Sequence, residues 1–182
     1  DWSGCRDIDH KSENVRATYK DYLRFLLSDL GYTGFRYDMV KGYAPAFIAE
    51  YNTAAQPTFS VGEYWDGSSA IRSWIDRTRQ GGVPTSAAFD FPFRYSVRDA
   101  VNTGNWAALN GAGQHPLINN ADYRRYAVTF VENHDTQYRS ATDQLDPIRR
   151  DTLAANAFML ALPGTPCVFY RHRSEEHTSE LQ

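Results

Sequence analysis

An arginine and an aspartate stand two residues apart in a short apolar run, Arg36 and Asp38 in GFRYDMVKGY. Side chains at positions i and i+2 of a β-strand point to the same face, so these two groups would project together. A guanidinium beside a carboxylate favours the ionised acid, which suits a carboxylate that acts as a nucleophile. A structural ion pair is the competing interpretation, and this stretch alone does not exclude it.

A second acid, Glu63, ends another apolar run and is followed directly by Tyr64 and Trp65. Aromatic walls disfavour the charged form of a carboxyl group, so we expect Glu63 to be protonated, as a general acid must be. Two carboxyl groups with such opposed surroundings take different catalytic roles. Taken alone, Glu63 could equally be a solvated loop acid.

A third acid lies in the stretch FVENHDT, where Asp135 follows His134. A buried histidine of the core is the commoner outcome for His134 taken alone. Three acids at three strand ends, with an arginine and a histidine beside them, predict a site that cleaves glycosidic bonds.

The elements that must position these acids alternate along the chain. Such alternation of strands and helices predicts a parallel sheet covered by helices, with its active site at the carboxyl ends of the strands. An open doubly wound sheet would place its site at the same edge, but no glycine-rich phosphate loop follows any strand. The predicted strands are 34–37, 58–62, 85–89, 126–131 and 166–170, and the predicted helices are 13–30, 46–51, 68–78, 93–101 and 147–160.

The composition is that of an ordinary soluble protein, with 42% apolar and 23% charged residues and a net charge of −3. This net charge does not indicate the basic surface that nucleic-acid binding requires. No apolar run reaches the roughly 20 residues of a membrane-spanning helix. We therefore expect neither nucleic acid nor membrane as a partner. Two cysteines, Cys5 and Cys167, define no disulfide framework, and either a pair or two free thiols is open.

The last ten residues, 173–182, read RSEEHTSELQ and resemble the in-frame translation of a sequencing adapter. A genuine polar tail is the alternative interpretation. We expect residues 1–172 to form the folded domain and 173–182 to be a disordered, artefactual tail.

Three of these stretches, GFRYDMVKG, VGEYW and FVENHDT, resemble in order the motifs of the α-amylase family of glycoside hydrolases. RDIDH at 6–10 echoes a further motif, and PGTPCVFY resembles the final barrel strand of bacterial and plant-type α-amylases. The resemblance covers residues 1–172 and implies a partial TIM (β/α)₈ barrel, roughly its fourth to eighth strands with their helices. A complete barrel needs roughly 250 residues, so we expect a fragment that is poorly stable and inactive alone.

The resemblance implies a role for each acid. Asp38 is the nucleophile that forms a glycosyl-enzyme, Glu63 is the general acid and then the base, and Asp135 binds sugar hydroxyls and stabilises the transition state. The mechanism is then retaining, and the carboxyl groups of Asp38 and Glu63 should lie about 5–5.5 Å apart.

The same resemblance implies the substrate-binding residues and a metal. It assigns Arg36, Lys41, His134 and Trp65 to the sugar site, with Arg36 holding Asp38 ionised. A structural Ca²⁺ would take the Asp7 carboxylate and the backbone carbonyl of Gly42, with its remaining oxygen ligands elsewhere.

The implied function is retaining hydrolysis of internal α-1,4-glucosidic bonds in starch-like glucans by a secreted, extracellular and monomeric α-amylase. A related maltogenic, branching or transglycosylating enzyme shares the three acids and stays open. A non-catalytic glycan-binding relative is a third possibility, and the presence of Asp38, Glu63 and Asp135 disfavours it.

Overall fold

The structure is a computed structural model, and it describes residues 8–110, 115–137 and 147–173. The metal-ligand prediction for Asp7, the prediction for Cys5 and the predicted disordered tail from 174 onward lie outside these residues. Within them, Cys167 is a free and exposed cysteine. The chain forms two compact units, which are described one after the other.

The first unit contains the residues up to Trp65 together with Ile71–Ala88. Ser12 caps the first helix through its side-chain oxygen, and Pro45 opens the second, where its missing N–H costs nothing. The elements in chain order are α1 (Glu13–Ser28), β1 (Gly34–Tyr37), a 3-10 helix (Val40–Gly42), α2 (Pro45–Ala55), β2 (Phe59–Gly62), α3 (Ser68–Arg77), β3 (Arg79–Gln80) and β4 (Val83–Pro84). The first three residues of α3 are assigned to the second unit.

A short hairpin, β3 and β4, was not predicted from the sequence. Its two connecting residues, Gly81 and Gly82, have φ of 56° and 83°. Positive φ at both central residues is what a tight hairpin turn requires, and glycine adopts it without steric cost. The GG pair in the sequence was the signal for this turn.

A buried polar network ties α2 to the strands of the first unit. The hydroxyl of Tyr37 donates to Oδ1 of Asn52 over 2.9 Å, and Nδ2 of Asn52 donates to Oγ of Ser60 over 3.0 Å. Ser60 in turn lies 2.9 Å from the hydroxyl of Ser86. Because every link is a hydrogen bond between buried groups, the network fixes one arrangement of these strands beneath the site.

The second unit contains Asp66–Ala70 and the chain from Phe89 onward. The segment 102–120, predicted as a loop, includes two 3-10 helices among its described residues. After β5 (Ala87–Phe89), whose first two residues belong to the first unit, the elements in chain order are α4 (Phe91–Thr103), 3-10 helices at Trp106–Asn110, Leu117–Asn119 and Arg124–Tyr126, β6 (Ala127–Phe130), α5 (Thr152–Leu160), β7 (Thr165–Cys167) and a 3-10 helix (Tyr170–Arg173).

The fifth helix begins at Thr152 rather than at Pro147 as predicted. Asp151 has φ of 50°, a left-handed conformation that cannot continue a helix. The backbone N–H of Ile148 binds the side chain of Glu132 instead of entering a helical ladder. Residues 147–150 therefore precede α5 and are not part of it.

The larger sheet has the strand order β1-β2-β5-β6-β7. The pairs β1–β2, β2–β5 and β6–β7 are parallel, with Tyr37 opposite Gly62 and Phe130 opposite Cys167. The predicted parallel sheet with intervening helices is confirmed. No helix in the described part of the chain is both long enough and apolar enough to cross a membrane.

Candidate active site

Two predicted catalytic acids follow neighbouring strands at the same edge of the sheet. Asp38 follows β1, Glu63 follows β2, and the last residues of these strands are partners in register. The pairing continues past the strands, because the N–H of Glu63 donates to the carbonyl of Tyr37 over 2.9 Å. The N–H of Val40 then donates to the carbonyl of Glu63 over 3.1 Å. The parallel register therefore places Asp38 beside Glu63.

A single guanidinium contacts both acids. Nη1 of Arg36 lies 2.6 Å from Oδ1 of Asp38, and Nη2 lies 2.7 Å from Oε1 of Glu63. The Asp38 side chain is 69% exposed and that of Glu63 only 5%. The prediction that Arg36 and Asp38 project together is confirmed, and Asp38 is the acid that faces solvent.

The surroundings of Glu63 differ from the apolar pocket predicted for it. Trp65 directs its indole Nε1–H at Oε1 of Glu63 over 2.9 Å, and the backbone N–H of Met39 donates to Oε2 over 3.1 Å. The ring of Tyr64 lies near Trp74 instead, with centroids 6.2 Å apart. The expectation of one charge-paired acid and one apolar acid is wrong, because Arg36, the indole N–H of Trp65 and the backbone N–H of Met39 all contact the carboxyl group of Glu63.

Lys41 and Trp65 form one edge of this site. Nζ of Lys41 donates to the carbonyl of Trp65 over 3.1 Å and lies 5.5 Å from the centre of the Tyr64 ring. Trp65 is 38% exposed, so part of its ring remains accessible. The two residues assigned to substrate binding by resemblance thus lie together beside Glu63.

The third predicted acid lies in the second unit, in a turn after β6. Oδ1 of Asn133 accepts hydrogen bonds from the N–H groups of Asp135 over 3.0 Å and Thr136 over 2.9 Å. Nε2 of His134 lies 3.1 Å from Oδ2 of Asp135, and both side chains are partly exposed. Asn133 was not predicted as a site residue, although an asparagine two residues before the acid is the signature of such a turn.

Two other residues have roles that sequence reasoning did not assign. Met39 has φ of 42° and ψ of 45°, a left-handed conformation that aims its N–H at Glu63. Asp90, one of the polar residues after a strand, is instead a buried cap whose Oδ1 accepts the N–H of Phe93. Asp90 therefore stabilises α4.

The described residues do not by themselves fit a calcium site. Gly42 is exposed with open space around its Cα, and its carbonyl is the one predicted ligand in the described residues. The described ranges contain no group of three or more His, Cys, Asp or Glu residues that could hold a metal. Ca²⁺ needs six to eight oxygen ligands, so the Gly42 carbonyl alone is far from a complete site.

A cavity of about 580 Å³ lies in the second unit, on the helical side. Its wall is formed by α4, α5 and the 3-10 helices between α4 and β6, and it combines aromatic residues such as Phe93 and Trp106 with polar ones such as His115 and Arg124. None of the predicted site residues lines it.

A strand-ordered set of acids on a parallel β/α sheet defines a class of enzymes that act at the carboxyl ends of barrel strands. Residues 2–178 match the family model for the alpha amylase catalytic domain, and the chain belongs to this family. The match runs past Arg173, and the interpretation of the tail as an adapter translation stays a prediction.

Curated relatives include probable alpha-amylase 2 from Arabidopsis thaliana, 35% identical over 94% of this chain and 43% of that protein. The glucan 1,4-alpha-maltotetraohydrolase of Stutzerimonas stutzeri is 31% identical over 93% of this chain and 32% of that enzyme. The chain therefore spans less than half the length of these relatives.

Solved structures with the same fold include an α-amylase from Anoxybacillus, with a TM-score of 0.67, 19% identity and coverage of 93% of this chain and 38% of that one. An α-amylase from Malbranchea cinnamomea has a TM-score of 0.63 and 22% identity, over 88% of this chain and 32% of its own. Together with the parallel sheet, these likenesses confirm the partial (β/α)₈ barrel.

Proposed function

We propose that the polypeptide that carries these residues hydrolyses internal α-1,4-glucosidic bonds in starch-like glucans and retains the anomeric configuration. This proposal depends on one observation: the guanidinium of Arg36 contacts both Asp38 and Glu63, which follow adjacent strands. Retaining glycosidases use two carboxyl groups on either side of the scissile bond. Membership of the α-amylase family supports the choice of glucan.

The exposed Asp38 is the nucleophile in the proposed reaction. Its carboxylate oxygen attacks the anomeric carbon while Glu63 gives its proton to the departing glycosidic oxygen. The resulting ester between sugar and Asp38 is opened by water, whose proton returns to Glu63. Two inversions at one carbon give net retention.

Glu63 accepts hydrogen bonds from Trp65 and Met39 besides its contact with Arg36. To act as an acid, Glu63 must direct an O–H towards the glycosidic oxygen, and these contacts occupy both of its oxygens. We infer that substrate binding rearranges at least one of these contacts.

The remaining sugar contacts follow from where the side chains lie. Trp65 and Lys41 border Glu63 and would contact the sugar on the leaving-group side. In the second unit, Asp135 and His134 would bind sugar hydroxyls and support the positive charge that develops at the anomeric carbon. The predicted distance of about 5–5.5 Å between the carboxyl groups of Asp38 and Glu63 stays a prediction.

A related glucan-active enzyme is the second candidate. One relative is named a maltotetraohydrolase, and structures of the same fold include a cyclomaltodextrin glucanotransferase and a pullulanase. A non-catalytic glycan-binding relative is disfavoured, because the two acids of the first unit share a positioned arginine. Product analysis separates these candidates: endo-hydrolysis gives mixed lengths, an exo-enzyme gives one length, and transfer gives longer or cyclic products.

The proposal is tested on the longest native polypeptide that contains these residues, with starch as substrate. We expect Glu63→Gln to lower kcat at least 10³-fold, because the variant can neither give nor take the proton. The matched control is Glu50→Gln, whose acid pairs with Arg16 and Lys20 on the helices. Full activity in Glu63→Gln, or a β-anomer as first product, would overturn the proposal. The same assay on the 182 residues alone tests the prediction that they are inactive.

We also propose that Asp7 and the Gly42 carbonyl contribute to a structural Ca²⁺ site. In that case, excess chelator lowers the melting temperature of the longest native polypeptide, and Asp7→Asn lowers it without chelator. A melting temperature that chelator leaves unchanged would contradict a calcium site.

We propose an extracellular, monomeric parent enzyme, on the basis of the resemblance to bacterial α-amylases. One relative is instead named a chloroplastic α-amylase. Fractionation of the source cells and light scattering of the purified protein test the two statements separately.

A further inference from the structure

A buried acid that the proposed mechanism does not use stands directly before the turn that carries Asp135. The side chain of Glu132 is 7% exposed, and both of its oxygens are occupied. Oε1 accepts the backbone N–H of Ile148 over 2.9 Å, and Oε2 lies 3.0 Å from Nε2 of His172. Glu132 therefore joins the end of β6 to the chain before α5 and to the 3-10 helix after β7.

The hydrogen-bond pattern around His172 fixes its tautomer. Nδ2 of Asn156 lies 2.8 Å from the carbonyl of Thr152, which can only accept, so the amide nitrogen must face that carbonyl. The same nitrogen lies 3.1 Å from Nδ1 of His172 and can only donate to it. Nδ1 is therefore the acceptor, and Nε2 carries the hydrogen that is donated to Glu132. The chain of donors runs from Asn156 through His172 to Glu132.

This chain of hydrogen bonds ends where the turn at Asp135 begins. Asn133 follows Glu132, and its Oδ1 holds the N–H groups of Asp135 and Thr136. The N–H of Asn133 in turn donates to Oγ of Thr136 over 3.0 Å. Residues 133–136 thus form a hydrogen-bonded turn that begins directly after Glu132.

We propose that Glu132 and His172 are positioning residues: they hold the turn that carries Asp135 in the position that the reaction requires. The catalytic part of this proposal rests on the proposed function. A buried polar chain of this kind stabilises a fold less than well-packed apolar residues would, but it selects one arrangement among several. A misplacement of about 1 Å at a reacting group can cost 10²-fold in rate.

Three substitutions in the longest native polypeptide test the proposal kinetically. Gln can present an N–H near the position of His Nε2, whereas Asn reaches only as far as Nδ1. We expect His172→Gln to keep kcat on starch within threefold and His172→Asn to lower it 10- to 100-fold. Glu132→Gln should lower kcat by the same 10- to 100-fold as His172→Asn. The KM for starch should change less than threefold in each of the three variants. The matched control is Asp151→Asn, an exposed acid paired with Arg150, which should leave kcat unchanged.

A spectroscopic readout keeps the test independent of activity. In ¹H–¹⁵N long-range spectra at pH 7, His172 should show the Nε2–H tautomer, and Glu132→Gln should shift the amide signals of Asp135 and Thr136. An Nδ1–H tautomer, or amide signals that stay in place, would overturn the positioning role. Active wild type with an unchanged kcat in His172→Asn and Glu132→Gln would also overturn it. If the wild type is inactive but shows the expected tautomer and amide shifts, the proposed function is wrong and the positioning role stands.

Discussion

The indole N–H of Trp65 donates to Oε1 of Glu63 over 2.9 Å. The aromatic residue beside the buried acid is therefore a hydrogen-bond donor and not an apolar wall. This contact gives Trp65 a role in orienting Glu63 besides any contact its exposed edge makes with sugar.

The first prediction separates these two roles with Trp65→Phe, which keeps an aromatic ring and removes the N–H. A hydrogen bond to a charged group contributes about 1.5–3 kcal/mol, so kcat/KM on starch should fall roughly 10- to 100-fold. The control is Tyr170→Phe, which alters an aromatic residue that is 69% exposed in the second unit. Unchanged kcat with a raised KM would show that Trp65 only stacks on sugar.

The second prediction concerns the arginine that contacts two acids. Lys carries its charge at one point and cannot reach Asp38 and Glu63 together, so Arg36→Lys should free one carboxyl group. We expect kcat/KM to fall on the order of 10²-fold or more, since the relative orientation of the two acids is lost. Arg79→Lys, which alters a surface pair with Asp76, is the matched control and should retain activity. Equal activities of the two variants would argue against a shared role for Arg36.

The third prediction follows from the left-handed backbone at Met39, whose side chain is 70% exposed. The side chain makes little packing contribution, whereas the backbone is held at both ends: its N–H contacts Glu63, and its carbonyl accepts the N–H of Gly42. Met39→Gly relieves the strain and should leave the free energy of unfolding unchanged or raise it. Met39→Val should lower it by about 1–2 kcal/mol, because β-branched residues are rare outliers at positive φ.

Urea unfolding of the longest native polypeptide that contains these residues measures both variants. Gln56 also has positive φ, 56°, at the end of α2, and Gln56→Gly is the control for strain away from the acids. In the longest native polypeptide, Met39→Val should also lower kcat, whereas Gln56→Gly should not. A Val variant as stable and active as the Gly variant would show that the φ of Met39 is incidental.

Much of the fold was predictable because its signals are local. The strand 34–37 was predicted with the bounds that the structure gives, and Ser12, Pro45 and Gly31 marked the boundaries around α1 and α2. The helix before β7 was predicted too long, because the left-handed Asp151 and the capture of the Ile148 N–H by Glu132 depend on contacts distant in sequence.

The proximity of Asp38 and Glu63 was predictable from the sequence, but the polar contacts around Glu63 were not. Strand alternation placed Asp38 and Glu63 at one edge, and the spacing of Arg36 gave the first ion pair. The second contact of Arg36 and the orientation of the Trp65 indole depend on side-chain rotamers, which sequence spacing does not determine. The same holds for the Asn156–His172–Glu132 chain, whose members lie up to 40 residues apart.

The last prediction concerns Asp90, whose carboxyl group is fully buried in the second unit. Burial raises the pKa of Asp90 to about 6, although the N–H groups of Leu117, Phe93 and Ile118 act in the opposite direction. Between about pH 4 and pH 6 the folded chain keeps a proton that the unfolded chain has lost. This contribution to stability is therefore fully present below pH 4 and is lost as pH rises through about 6, an effect on the order of 3 kcal/mol.

Urea midpoints of the longest native polypeptide that contains these residues, from pH 4.5 to 7.5, measure how stability depends on pH. Asp90→Asn should flatten the dependence of stability on pH, because the amide takes up no proton. It should also lower the free energy of unfolding at every pH, because the amide now faces the N–H of Ile118. The matched control Asp99→Asn changes an exposed acid on α4 and should keep the wild-type slope. A slope in Asp90→Asn equal to that of wild type would mean that another group takes up the proton, and ¹³C titration of the carboxyl groups would then locate it.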